Sequence, residues 1–239
     1  MKKIYSFVVL LLLTMPLVSI GQEKKTTFDE PKYQEEYTAL NQKAWTSLFN
    51  GKDLQGWKLL EGKVPFVVEN RVIVGTATKD TTHSSFLSTT SDYSDFIFEV
   101  DFKMDRWMNS GIQFRSHYDP HYRTGEVYGD QVEIEGSERR WTGGIFDQSR
   151  RGWWKGGLDD NKAGLEAYKP NQWNHMRLVV IGPYIKTWIN GILTANIVDS
   201  KDTTGFIALQ LHHAHNHGTR AVHEGAQIKF KNIQIKAKE

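Results

Sequence analysis

From Trp45 onward the chain is a succession of short segments in which apolar and polar side chains alternate, each closed by turn residues. Side chains of a strand point to opposite faces with period two, so these segments fit half-buried strands. They do not fit amphipathic helices, whose apolar positions recur every three or four residues. Phe96-Ile-Phe-Glu-Val-Asp-Phe-Lys-Met104 alternates cleanly, and so do residues 112–116. Residues 66–74 read as two strands joined at Asn70-Arg71. Asn190-Gly191 is the strongest hairpin signal, because both residue types tolerate the positive φ of a type I′ turn. Further strands are expected over residues 131–135, 175–181, 184–189, 206–212 and 226–235. So many short strands, with no long amphipathic helix, predict an all-β sandwich or jelly roll of two antiparallel sheets.

The N-terminus follows a different rule. Lys2 and Lys3 precede an almost wholly apolar stretch, and Ser19-Ile20-Gly21 supplies the small residues that a signal peptidase reads. Residues 1–21 are therefore expected to be a cleaved signal peptide and residues 22–44 a polar tether with one short helix. Residues 45–239 are expected to form the sandwich domain. The apolar stretch is too short for a membrane anchor, and the absence of cysteine removes both a disulfide framework and a lipid-modified cysteine. A periplasmic or secreted location is the resulting expectation. Net charge is only +2, with acids and bases interspersed, so there is no concentrated basic face for nucleic acid. Neither a phosphate-cradling glycine loop nor a nucleophile elbow is present, which leaves nucleotide and serine chemistry without support.

Eight Trp and nine Tyr suit either a sugar cleft, where flat rings stack on pyranose faces, or a core built around Trp. Residues 136–170 form a Trp- and Gly-rich region without strand periodicity, and a loop this long in a compact domain is expected to be functional.

Strand phase brings the chemistry-bearing residues together. In residues 131–135, Val132 and Ile134 take one face, leaving Gln131, Glu133 and Glu135 on the other. Likewise Ile112 and Phe114 oppose Gln113 and Arg115, while Leu209 and Leu211 oppose Gln210 and His212. If these strands share one sheet, its outward face carries two carboxyl groups, a guanidinium, an imidazole and three amides. Amides and guanidinium bind sugar hydroxyls; Glu and His move protons. Two neighbouring carboxylates repel, which tends to raise the pKa of one. His213, His215 and His217 align in the following stretch and are read as a polar loop in preference to a metal site. Glu133, Glu135 and His212 are the candidate ligands should a divalent ion be used.

Several motifs in fixed order carry a resemblance. They are Leu48-Phe-Asn-Gly-Lys-Asp-Leu-Gln-Gly-Trp57, Asn109-Ser-Gly-Ile-Gln-Phe-Arg-Ser116, Gln131-Val-Glu-Ile-Glu135 and Gln172-Trp-Asn174. Trp188-Ile-Asn-Gly191, Ile207-Ala-Leu-Gln-Leu-His212 and Phe230-Lys-Asn-Ile-Gln-Ile235 continue the set. Together they resemble the 3-keto-disaccharide hydrolase domain family, over nearly the whole stretch from Trp45 to Lys236. The resemblance implies a concanavalin A-like sandwich that acts on glycosides already oxidised at C3 by a separate oxidoreductase. It implies removal of the acidified C2 proton, β-elimination of the C1 substituent and addition of water. On that basis Glu133 or Glu135 is expected as base, Arg115 or a bound cation at the enolate, and His212 as acid or metal ligand. Gln113, Gln131 and Gln210 are expected to hold hydroxyls, with Asp147, Trp154 and Trp188 completing the substrate contacts. Asp147 falls in Ile145-Phe-Asp-Gln148, where the family's pattern has Ile-Tyr-Gly-Glu, so either it replaces that acid or the acid is not needed. No cofactor is required on this reading. The rival reading is a non-catalytic carbohydrate-binding protein on the same fold.

Overall fold

The computed structural model describes residues 26–79, 83–154, 157–216 and 221–238. The expected signal segment and His217 lie outside the described residues. The elements begin with helix α1 (Pro31–Gln42), then β1 (Thr46–Ser47), β2 (Trp57–Glu61), β3 (Phe66–Glu69) and β4 (Val72–Thr76). Four long strands come after these: β5 (Ser85–Tyr93), β6 (Phe96–Met104), β7 (Asn109–Tyr118) and β8 (Val127–Glu135). Next come β9 (Ile145–Gln148), the short helix α2 (Lys162–Leu165), β10 (Asn174–Ile181) and β11 (Tyr184–Ile189). The last three are β12 (Ile192–Val198), β13 (Gly205–Leu211) and β14 (Gln227–Ala237).

Two antiparallel sheets pack face to face. One runs β12-β11-β10-β6-β14-β4-β3, with β1 also paired to β14; the other runs β2-β5-β13-β7-β8-β9. The expected sandwich is the observed one. In β6 the alternation does what period two requires: Phe96, Phe98, Val100, Phe102 and Met104 are fully buried in the core between the sheets. Their partners from the facing sheet include Ile112, Phe114, Val132, Ile134 and Leu209. Each such side chain removed from water contributes roughly 1.5–3 kcal/mol. Both anticipated hairpins form, with positive φ at Asn190 (50°) and Gly191 (80°), and at Asn70 (49°) and Arg71 (65°).

The segment read as a tether is a docked element. Helix α1 opens with a proline in its first turn and buries Tyr37 and Leu40. These pack with Phe28 against Ile97, Val179, Ile181 and Tyr184 on the outward side of the larger sheet. Those outward positions are apolar and need a cover, which the helix supplies. Among the described residues no helix is long and apolar enough to cross a membrane.

Strand β7 is irregular where it approaches the site. Between Gln113 and His117 it carries one residue more than either neighbour, shifting register against both β8 and β13. Arg115 sits in this bulge with φ at 43°. An extra residue inverts the facing of every side chain beyond it.

Candidate active site

Strands β13, β7, β8 and β9 lie side by side, so the assumption of a shared sheet holds. In register, Gln113 stands opposite both Ala208 and Gln131, and Gly111 stands opposite Glu133. Gln131 in turn faces Phe146 across β8 and β9. The outward side of these strands floors a cleft of about 520 Å³. Asn109, Gln131, Glu133 and Gln210 line its floor, and His212 and His215 close one side. Arg139, Phe146, Gln148 and Trp153 make up the rest of the lining.

Glu133 is the chemical centre of this cleft. Asn109 Nδ2 donates to its Oε1 at 2.7 Å, and Gln131 Nε2 donates to its Oε2 at 2.8 Å. Gln131 accepts in turn from Gln113 Nε2 at 3.0 Å, and Gln113 Oε1 accepts from Ser116 Oγ at 2.7 Å. A chain of oriented amides therefore runs through the sheet and fixes one carboxyl group. Gly111 makes room for it, since a Cβ there would lie 2.3 Å from the Gln131 Cδ. Burial pushes the Glu133 carboxyl up to about 7, with Glu135 adding to the rise and the Asn109 and Gln131 bonds and Arg139 opposing it.

Glu135 has a different fate. It is 2% exposed and forms a two-point ion pair with Arg139, at 3.0 Å to Nε and 2.5 Å to Nη2. The Trp141 amide also donates to it at 2.9 Å. Two carboxyl groups two positions apart thus divide their roles: one is paired, and the other is held by neutral amides near neutrality. The chain after β8 turns back through Thr142 and Gly143, whose amide donates to the Glu133 carbonyl at 2.8 Å. This return places Arg139 over Trp141 and Trp153, 4.5 and 4.7 Å from the ring centres. Trp153 and Phe146 lie 5.1 Å apart and form an aromatic wall beside the guanidinium.

His212 comes directly after β13. Its Nδ1 lies 3.0 Å from the His213 carbonyl, which can only accept, so this contact favours the tautomer protonated at Nδ1. The rings of His212, His213 and His215 lie 4.7 to 5.4 Å apart. Read from sequence as a polar loop, this stretch contributes His215 to the cleft wall.

Besides Glu135, five expected site residues do not line the cleft. The bulge rolls Arg115 to the end of the sandwich, where it donates to the carbonyls of Ser94 (2.7 Å), Gly182 (2.7 Å) and Asp202 (3.1 Å). It also pairs with Asp95 at 2.7 Å, so it ties turns together and does not reach the cleft. Asp147 is fully buried on the opposite side of β9, paired with Arg150 and Arg151. These arginines reach on to Asp202 and Asp199, in a network that also holds Asp130. Trp154 packs on Arg151, 3.9 Å from the ring centre, and its neighbour Trp153 takes the place in the cleft. Trp188 packs with the helix α1 cluster on the other sheet. Gln113 is fully buried beneath the cleft floor and acts on Gln131.

The residues not anticipated in the cleft are Asn109, Arg139, Phe146, Gln148, Trp153 and His215. Asn109 is readable by phase, since it shares a face with Gly111 and Gln113. As for metal, no group of three or more His, Asp or Glu is arranged to hold an ion among the described residues. The set Glu133, Glu135 and His212 does not converge, because Arg139 occupies Glu135 and amides occupy both Glu133 oxygens.

Two antiparallel sheets packed face to face define a galectin- and glucanase-like sandwich fold. The chain belongs to the 3-keto-alpha-glucoside-1,2-lyase-like domain family, whose family model matches residues 44–236. Among solved structures it is similar to a Parabacteroides distasonis protein provisionally described as a glycosyl hydrolase. That match has a TM-score of 0.60 and 23% identity, covering 86% of this chain and 97% of that one. A Bacillus licheniformis β-glucanase matches with a TM-score of 0.53 and 12% identity, over 82% of this chain and 98% of that one. A carbohydrate-binding module from Bacillus subtilis matches at 0.50 and 17%, over 76% and 96%. Comparison with curated protein sequences gives no significant match.

Proposed function

We propose that this protein cleaves 3-keto-glycosides by removing the C2 proton and expelling the C1 substituent by β-elimination. The observation that carries this reading is Glu133: a buried carboxyl group in an open cleft, held by amides, with its pKa raised to about 7. A base for a proton made acidic by a neighbouring ketone works best when its pKa lies near the working pH. The C2–H pair passes into the C2–C3 enolate, and the charge gathers on the C3 oxygen. Arg139, on the cleft lining, takes the role that Arg115 cannot, offering a fixed positive charge to that oxygen. The enolate then expels the C1 oxygen, and His212 returns a proton to the departing alcohol. Addition of water to the resulting enone gives net hydrolysis. Gln131 and Gln210 hold hydroxyls, and Gln210 Oε1 is buried without a protein partner, as a group awaiting a ligand would be. The aromatic wall of Trp153 and Phe146 supports the sugar face.

No step of this route uses a nucleotide. The substrate requires prior oxidation at C3, so a separate oxidoreductase is its chemical supplier, and the signal-like N-terminus supports work outside the cytoplasm. A second reading, a non-catalytic carbohydrate-binding protein, is favoured by the similarity to a binding module. Incubation with a 3-keto-glycoside, monitored by NMR, separates them. Release of the alcohol with formation of the enone or the free 3-keto sugar, abolished in Glu133→Gln, supports cleavage. Binding without turnover at any pH between 5 and 9 supports the module.

A further inference from the structure

A cavity of about 400 Å³ lies on the outward side of the larger sheet, across the sandwich from the cleft. Residues 48–57 and 230–235, which the cleft does not use, meet there. Strand β1 lays Ser47 beside Gln234, and the Leu48 amide donates to the Ile233 carbonyl at 2.9 Å. Asn232, in a bulge of β14 between Lys231 and Gln234, has a φ of 51°. Its Nδ2 donates to Asp101 at 2.6 Å, and the other Asp101 oxygen lies 2.9 Å from His175 Nδ1. Asp101 first, and Glu99 after it, lift the imidazole to about 9 against its burial, so His175 is a cation at neutral pH.

Arg71 is the charge in this cluster without a counterpart. Asp101 is taken by His175, while Glu99 is taken by Arg177 and accepts from Gln234 Nε2 at 3.0 Å. No carboxylate among the described residues pairs with Arg71. Its guanidinium borders the cavity and lies on Gly51, where an added Cβ would stand 3.4 Å from Cζ. The residue sits in the β3–β4 turn with a φ of 65°, a conformation that favours glycine or asparagine. A long cation therefore occupies a strained turn position with no protein group to bind. Acceptors are open as well. The side-chain carbonyls of Asn232 and Gln234 receive no hydrogen bond among the described residues.

We infer that this cavity is a second binding site, separate from the cleft, whose ligand is a pyranose carrying one anionic group, a carboxylate or a sulfate. An unpaired guanidinium suits an oxyanion that can meet two of its N–H groups at once. The open amide carbonyls suit hydroxyl donors, which a lone inorganic anion lacks. Phe49, nearly fully buried, gives the cavity an apolar patch for a ring to lie on. The volume falls in the range of small-molecule sites and is more than a lone anion fills. A charged sugar meets all of these demands together. The inference does not rest on elimination in the cleft.

The test titrates the protein with glucuronate, glucose 6-sulfate, glucose, acetate and inorganic sulfate, observed by NMR. Arg71→Gly removes the guanidinium and suits the turn, so its melting temperature should hold or rise. Expected is binding of glucuronate or glucose 6-sulfate about tenfold or more tighter than of glucose, lost by about tenfold or more in Arg71→Gly. Trp153→Ala, in the cleft, should leave that binding within about twofold of wild type. Preference for glucuronate assigns the site to a carboxylate, and preference for the 6-sulfate assigns it to a sulfate ester. Acetate or inorganic sulfate binding as tightly as the charged sugars would mean an anion contact only and overturn the inference. Undiminished binding in Arg71→Gly, loss in Trp153→Ala, or no binding of either charged sugar would overturn it as well.

Discussion

The Glu135 carboxylate and the Arg139 guanidinium meet at two points, 3.0 and 2.5 Å, across a return of the chain that spans only four residues. Arg139 is a quarter exposed while Glu135 is almost fully buried, so the pair has a dry end and a wet end facing the cleft. Replacing Arg139 with Met leaves a buried carboxylate without its counter-charge, at a cost on the order of 3 kcal/mol. Chemical denaturation checks that cost. The same substitution is expected to lower kcat more than it raises KM, since the charge is needed when the enolate forms.

Glu133→Gln keeps the shape and removes the base, and turnover is expected to fall by about two to four orders of magnitude. In wild type, the acid limb of the kcat/KM profile is expected to rise with pH to about 7, where the carboxyl loses its proton. The stability sign is opposite. The folded-state value lies above the ordinary 4.5, so the folded protein holds a proton that the unfolded chain has released. Stability therefore declines as pH climbs from about 4.5 towards 7. Asp130 and Glu61 are also pushed up to about 7 by burial, so the wild-type curve alone does not isolate Glu133. The difference between wild type and Glu133→Gln does: the variant should gain more relative stability at pH 8 than at pH 5 in thermal melts.

Gly111→Ala inserts a methyl group 2.3 Å from the Gln131 side chain. The amide must move, and with it the bond that holds Glu133. A loss of about 1–3 kcal/mol in stability is expected from overpacking. Activity should drop in parallel with a shifted pH profile, since Glu133 loses one donor that favours its ionised form. An unshifted profile would mean that Gln131 does not position the base.

Arg115→Met is expected to destabilise the fold while leaving kcat per folded molecule unchanged, because its four hydrogen bonds all serve turns and Asp95. Melting temperature and turnover measured on the same sample separate the two effects.

Trp153→Ala should raise KM for the sugar with little change in melting temperature, whereas Trp154→Ala should leave KM alone. The two tryptophans are neighbours in sequence, and only Trp153 lines the cleft. Substrate titration of both variants decides this.

Gln131, Glu133 and Gln210 are legible in the sequence because regular alternation determines facing, and the core side of each strand announces itself through Val132, Ile134, Leu209 and Leu211. Arg115 misleads for the same reason: alternation continues on paper through a bulge that, in three dimensions, inverts it. Arg139 has no signal of this kind, since it lies beyond the strand and is carried back by the turn at residues 137–140. Strand β5 is also hidden. Its Ser88 and Thr89 look like loop residues, yet both are buried and bonded within the sheet. Serine and threonine hydroxyls can satisfy themselves locally, so their polarity does not by itself mark exposure.

Strand β14 sits between β6 and β4 and also carries β1. The central rib of the larger sheet is thus contributed by residues 227–237, while its neighbours come from the first half of the chain. Until the ribosome has delivered that segment, β6 and β4 have no common partner, and the β14-facing edge of β6 keeps its backbone hydrogen-bonding groups unpaired. Folding of this protein is in consequence a late and cooperative event. A polypeptide stopped short of residue 227 should be found by proteases as an open chain, not as a smaller sandwich.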